Sequence, residues 1–160
     1  MSKLVVCFSL TGNTKFIAEV LAKNIGADIL ELKPKKEDKG DGLLKMFWRG
    51  KQAVTKECPE LLPMEKNPDD YNLIIIGTPV WASTLSPVVR TFLTTTNLKN
   101  KKIGLFCCHG GAIGQTLKNM AALATGAQII SEIDFIDPLH NDEQNSLARA
   151  LKWSEQFNNL

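Results

Sequence analysis

Five short strand-like segments, each followed by a stretch of helical or loop character, do most to limit the folds open to this sequence. Leu4–Phe8, Leu73–Ile76 and Ile103–Cys108 are unbroken by charge, as strands covered on both faces must be. Ile29–Leu32, stopped by Pro34, and Ile129–Ile136 complete the set. Between them, Phe16, Ile17, Val20, Leu21 and Ile25 recur on one helical face and Gly26 is placed to end the helix. Further helices are expected over 43–56 (Leu43, Leu44, Phe47, Trp48), 86–95 with Pro87 at the first position, 113–124, and 142–158 with Leu147, Leu151, Ser154 and Phe157 inward. The charged stretch 33–42 reads as a solvated loop.

Strands that alternate with helices form a parallel sheet with right-handed crossovers and helices on both faces. The expectation is an α/β fold: a doubly wound five-stranded parallel sheet, order 2-1-3-4-5, in a three-layer sandwich. At 160 residues the chain is the size of one such domain, residues 1–160. In that winding a ligand sits outside the carboxyl ends of the strands, where the strand order reverses. The loops after the first, third and fourth strands should converge there.

Those loops are SLTGNT, GTPVWASTLSP and CCHGGAIGQ. In the first, Gly12 permits a tight bend, and the backbone N–H groups from Leu10 to Thr14 converge on a helix start. The side chains of Ser9, Thr11, Asn13 and Thr14 add donors. Such a nest suits a phosphate monoester, because charge-assisted hydrogen bonds of roughly 1.5–3 kcal/mol each offset its desolvation without a metal or a lysine. A helix cap needs one such side chain rather than four. The ATP cradle GxxxxGK[ST] is absent, and one glycine in the bend falls short of the three in GxGxxG.

On these residues the chain resembles the flavodoxins along nearly its whole length. SLTGNT resembles the family's [ST]-x-T-G-x-T phosphate loop, and DYNLIIIGTPVWAS its third strand and first flavin loop. FWRGKQA resembles a segment of a subgroup of flavodoxin-like sequences. The resemblance implies FMN as cofactor. It places Ser9, Thr11, Gly12, Asn13 and Thr14 on the phosphate, and Thr78, Pro79, Val80, Trp81, Ala82 and Ser83 along one side of the isoalloxazine. Cys108, His109, Gly110 and Gly111 fall at its other side or its pyrimidine edge. A flat ring with a polar rim calls for an aromatic face and backbone donors, and Trp81 supplies the former.

Three features depart from the family pattern. No glycine follows Gly77 before Pro87, so a left-handed turn at Ala82 or Ser83 would cost about 1–2 kcal/mol. The loop after the fourth strand has His109 where many flavodoxins carry a tyrosine. The net charge is +2, with 19 basic and 17 acidic residues, where dedicated carriers of the family are markedly acidic.

The implied function is an FMN-binding electron-transfer protein passing electrons between protein partners, a reductase and an acceptor, with no catalytic acid, base or nucleophile of its own. The alternative is an FMN-dependent NAD(P)H oxidoreductase acting on a quinone or similar acceptor. A phosphorylation receiver on the same winding needs acidic residues where Ser9 and Thr78 stand. The balanced charge gives no nucleic-acid footprint, and no run of about 18 apolar residues calls for a membrane span. Cys7, Cys58, Cys107 and Cys108 lack metal or thioredoxin spacings and read as reduced thiols in the cytoplasm, with the vicinal pair 107/108 read as packing. No metal is expected.

Overall fold

A computed structural model describes residues 2–35 and 56–160. The strands are β1 (Lys3–Cys7), β2 (Asp28–Glu31), β3 (Leu73–Trp81), β4 (Thr84–Leu85), β5 (Lys102–His109) and β6 (Gln128–Ile136). The α-helices are α1 (Asn13–Ile25), α2 (Pro87–Thr95), α3 (Thr116–Leu123) and α4 (Glu143–Ser154). Five strands pair in parallel in the order β2-β1-β3-β5-β6, the expected winding once the small β4 is set aside.

The apolar runs earn their place at the centre of the sheet. Val5, Leu73, Ile74, Ile75, Ile76 and Leu105 are fully buried, because successive side chains feed two separate cores. One face packs Leu4, Val6, Ile74, Ile76 and Leu105 against Val88, Phe92 and Met120 of α2 and α3. The other packs Val5, Ile75 and Phe106 against Ile17 and Leu21 of α1 and Ala150 and Trp153 of α4. Gly77 belongs to this second layer: a Cβ there would enter the ring of Phe106, which meets Phe135 edge-on at 6.3 Å.

Four expectations need correction. β3 runs on to Trp81 and turns into β4, which pairs antiparallel with it (Val80 with Leu85, Trp81 with Thr84). The third helix starts at Thr116 rather than 113, because residues up to Gln115 form the turn that meets this hairpin. The last helix ends at Ser154, followed by a 3₁₀ turn over Glu155–Phe157. In that helix Leu147 and Leu151 face outward, each 37% exposed, while Ser146, Ala150, Trp153 and Ser154 are buried, as is Phe157 of the 3₁₀ turn. The helix expected over 43–56, with Phe47 and Trp48, lies outside the described residues apart from Lys56.

Candidate functional site

At the carboxyl ends of β1, β3 and β5 three loops enclose a cleft of about 300 Å³. It is lined by Leu10, Thr11, Asn13 and Thr14, with Ser9 and Gly12 outside the lining, by Pro79, Val80 and Trp81, by Cys108, His109 and Gly110, and by Asp137. The crevice falls at the switch point where β1 and β3 lead off in opposite directions, as the winding requires.

The first wall is the start of α1. Gly12 takes a left-handed φ of 96° and its carbonyl accepts the Phe16 amide at 2.8 Å, which begins the helix. No side chain caps α1, so the hydroxyls of the bend are not spent on its first amides. Ser9 Oγ is buried without a partner, an unmet polar atom of the kind a ligand satisfies. Thr14 is buried and its hydroxyl bonds the Cys108 thiol, whereas Thr11 is exposed on the rim. Asn13 is committed within the protein: Nδ2 donates to Asp137 Oδ1 at 2.8 Å, and Oδ1 accepts the Leu139 amide at 2.9 Å.

The second wall is the β3–β4 hairpin. Ala82 and Ser83 both have positive φ, 48° and 62°, and form a two-residue turn of the kind that usually needs Asn-Gly. The strain foreseen from the missing glycine is therefore present at both positions. Two neighbours hold it. The Gln115 amide donates to the Ser83 carbonyl at 2.9 Å, and Asn119 Nδ2 donates to Thr84 Oγ1 at 2.9 Å. Thr78 lies outside the cleft, fully buried, where its hydroxyl oxygen accepts the Ser86 amide at 3.0 Å and braces the hairpin's return into α2. Trp81 lines the cleft and is steadied by Phe8, edge-on at 5.7 Å. Ala82 and Ser83 are exposed at the tip, away from the cleft lining.

The third wall is the end of β5. The His109 side chain is 4% exposed; its Nε2–H donates to Asp134 Oδ2 at 2.9 Å, which leaves Nδ1 buried with no partner. Gly110 reaches the cleft and Gly111 does not. Burial pushes the thiols of Cys107 and Cys7 up to about 12 and that of Cys108 higher still, so none of these offers a thiolate at neutral pH.

Asp137 lines the cleft, and Asp134 and His140 stand behind it as the hydrogen-bond partners of His109 and Asp137; the sequence pattern points to none of the three. His140 Nδ1–H donates to Asp137 Oδ1 at 3.0 Å; this contact and the Asn13 hydrogen bond hold the Asp137 carboxyl below the usual carboxylate range. A larger cavity of about 380 Å³ lies beside β2, lined by Lys15, Glu31, Leu62 and Met64 among others. Its Lys15 and Glu31 satisfy each other at 2.9 Å, and none of the buried unpartnered atoms belongs to its lining. Among the described residues no cluster of three or more His, Cys, Asp or Glu could hold a metal ion, and no helix is long and apolar enough to cross a membrane.

A doubly wound parallel sheet with its loops gathered round a cleft at the switch point defines the class of three-layer α/β proteins whose ligands sit at the carboxyl ends of the strands. The flavodoxin family model matches residues 2–134, and the chain belongs to the flavodoxin family. Membership implies FMN as cofactor. The fold is shared with a flavoprotein of Lactobacillus acidophilus NCFM, solved in complex with FMN (21% identity, 90% of this chain and 98% of that one, TM-score 0.72). It is shared too with a Bacteroides uniformis protein (20% identity, 96% and 97%, TM-score 0.77) and with the flavodoxin, WrbA-like protein of Agrobacterium tumefaciens (19% identity, 99% and 95%, TM-score 0.66). No curated protein matches the chain.

Proposed function

We infer that the protein binds FMN in this cleft and carries electrons between protein partners, a reductase and an acceptor, in a reducing compartment such as the cytoplasm. The observation that supports the reading is the convergence of three loops on one cleft whose lining residue His109 has a buried, unpartnered Nδ1, with the buried, unpartnered Ser9 Oγ at the end of β1 next to the lining residue Leu10. Backbone amides at Gly12–Thr14, with the Ser9 and Thr11 hydroxyls, would hold the phosphate, and the macrodipole of α1 favours its charge. Trp81 would stack on the ring and His109 Nδ1 would meet a polar group on its rim.

When bound, the flavin supplies the electron-transfer chemistry. The protein's part is to bind and orient it. The buried cysteines stay protonated, and the described cleft sets out no nucleophile activated by a base. The free thiols at all four cysteines suit a reducing compartment.

The second reading is an FMN-dependent NAD(P)H oxidoreductase for a quinone or similar acceptor. It is favoured by one feature: Trp81 is the one aromatic ring besides the His109 imidazole that the described residues give the cleft. A second flat molecule could then share the site.

Absorbance of the purified protein tests the binding reading. A flavin spectrum with FMN released on denaturation supports it, and colourless protein that takes up no added FMN overturns it. Stepwise reduction separates the two activities: two distinct one-electron steps without steady NAD(P)H oxidation support the carrier, while rapid NAD(P)H oxidation coupled to a quinone supports the enzyme.

A further inference from the structure

We propose that Asp137 limits the preference of the cleft for a phosphorylated over an unphosphorylated flavin, and that His140 makes this limit depend on pH. The inference rests on the flavin reading above and concerns the rim of its phosphate loop. Asp137 lines the cleft beside Thr11, Asn13 and Thr14. Its Oδ1 accepts from Asn13 Nδ2 at 2.8 Å, and the same nitrogen donates to Thr11 Oγ1 at 3.3 Å. One hydrogen bond therefore separates a carboxylate from the loop that receives a dianion. Asn13 has both amide hydrogens engaged and its oxygen on the Leu139 amide, so it straps the loop after β6 to the start of α1.

The charge balance around Asp137 is simple. From its own loop it meets His140 Nδ1 at 3.0 Å; from α1 it meets the neutral Asn13; from β5 the His109 carbonyl accepts its amide at 2.8 Å. The His109 imidazole also lines the cleft, tied to Asp134 of β6. Neither lysine nor arginine is among the described residues of the lining. A lone carboxylate there repels a phosphate monoester, which carries about −1.5 to −2 charges at neutral pH. A histidine changes charge between pH 5 and 8. A positive charge on the His140 imidazole, 3.0 Å from the Asp137 carboxylate, offsets part of that repulsion. Its side chain is 66% exposed, so protons reach it freely.

Riboflavin has the same ring without the phosphate, and so reports stacking but not this charge. The full chain, freed of flavin, is titrated with FMN and with riboflavin by fluorescence quenching at pH 5.5 and pH 8, in low salt to limit screening. Asp137→Asn keeps an acceptor for Asn13, and asparagine tolerates the positive φ of 38° at this position. The expected result is FMN affinity raised about three- to tenfold at pH 8, with a smaller gain at pH 5.5 and riboflavin affinity changed less than about twofold. His140→Gln should weaken FMN binding at pH 5.5 and leave it unchanged at pH 8, which separates the histidine from the phosphate's own protonation. The proposal is overturned if Asp137→Asn leaves FMN affinity at pH 8 unchanged or lower, or shifts both flavins by one factor. It is also overturned if His140→Gln acts equally at both pH values. A wild-type chain that binds neither flavin refutes the flavin reading itself, and this inference with it.

Discussion

The Ser83 carbonyl accepts the Gln115 amide at 2.9 Å, and Gly114, just before it, sits so close to Ser83 that no Cβ fits between them. The tip of the Trp81 hairpin is thus held by the turn leading into α3. Gly114 has a φ of +54°, so a side chain there is strained in backbone as well as in space. Gly114→Ala should cost about 2 kcal/mol or more in chemical unfolding, the sum of a left-handed alanine and a steric conflict. A loss under half a kcal/mol would mean that the contact yields freely.

The hairpin turn itself is open to improvement. Two non-glycine residues hold positive φ at 82 and 83, where Asn-Gly fits without strain. Ala82→Asn combined with Ser83→Gly should raise stability by about 1–2 kcal/mol, seen as a higher denaturant midpoint at unchanged slope.

Ser9 tests the phosphate loop from the opposite direction. Its hydroxyl is buried and unpartnered in the structure, so Ser9→Ala should leave the stability of the flavin-free protein the same or slightly higher. FMN affinity should fall by about tenfold or more, the worth of one charge-assisted hydrogen bond, while riboflavin affinity stays put. Isothermal titration with both ligands checks the contrast.

The cysteines divide by exposure. Cys58 is exposed, whereas Cys7, Cys107 and Cys108 are buried, with thiols pushed to about 12 or above by desolvation. A thiol reagent at neutral pH should therefore label Cys58 quickly in the native protein and reach the other three only on unfolding. Fast labelling of 107 and 108, or a disulfide between them, would contradict their reading as packing.

A pH effect on stability is expected at the edge of the sheet. Tyr71 Oη donates to Asp28 Oδ2 at 2.6 Å, which lowers the carboxyl's pKa, with Lys66 at 3.4 Å adding to it. A carboxyl with a lowered folded pKa stabilises fully above its unfolded value near 3.9, and that share is lost as pH falls through the folded value. Tyr71→Phe should shrink this acid-side dependence to the smaller share that Lys66 supplies. If the stability of both proteins falls identically between pH 5 and 3, the pair contributes nothing.

The legible parts of the fold were those fixed by local pattern. Leu73–Ile76 has no polar position, so only a strand buried on both faces can hold it, and Ser86 before Pro87 marks a helix start that the structure realises with a Val89 amide at 3.3 Å. The errors came where tertiary contact outvoted pattern. On α4 the buried stripe runs through Ser146, Ala150 and Trp153 because the helix packs close to α1, with Asn24 Nδ2 donating to Ser154 Oγ at 2.7 Å; small residues permit that approach and Leu147 and Leu151 do not. Ala-Ser lacks the Asn-Gly signature of a tight hairpin, and a two-residue strand has no pattern of its own, so β4 carries no local signal. Asp137 joins the cleft through a partner 124 residues away, a distance over which no spacing rule operates.

Gly77 and Phe106 occupy one space between them, the ring lying where a side chain of residue 77 would stand. Neither position is free to drift alone during evolution. A methyl group gained at 77 has to be matched by a smaller residue at 106, and the edge contact to Phe135 goes with it, so these three sites should covary as one unit across the lineage of this protein.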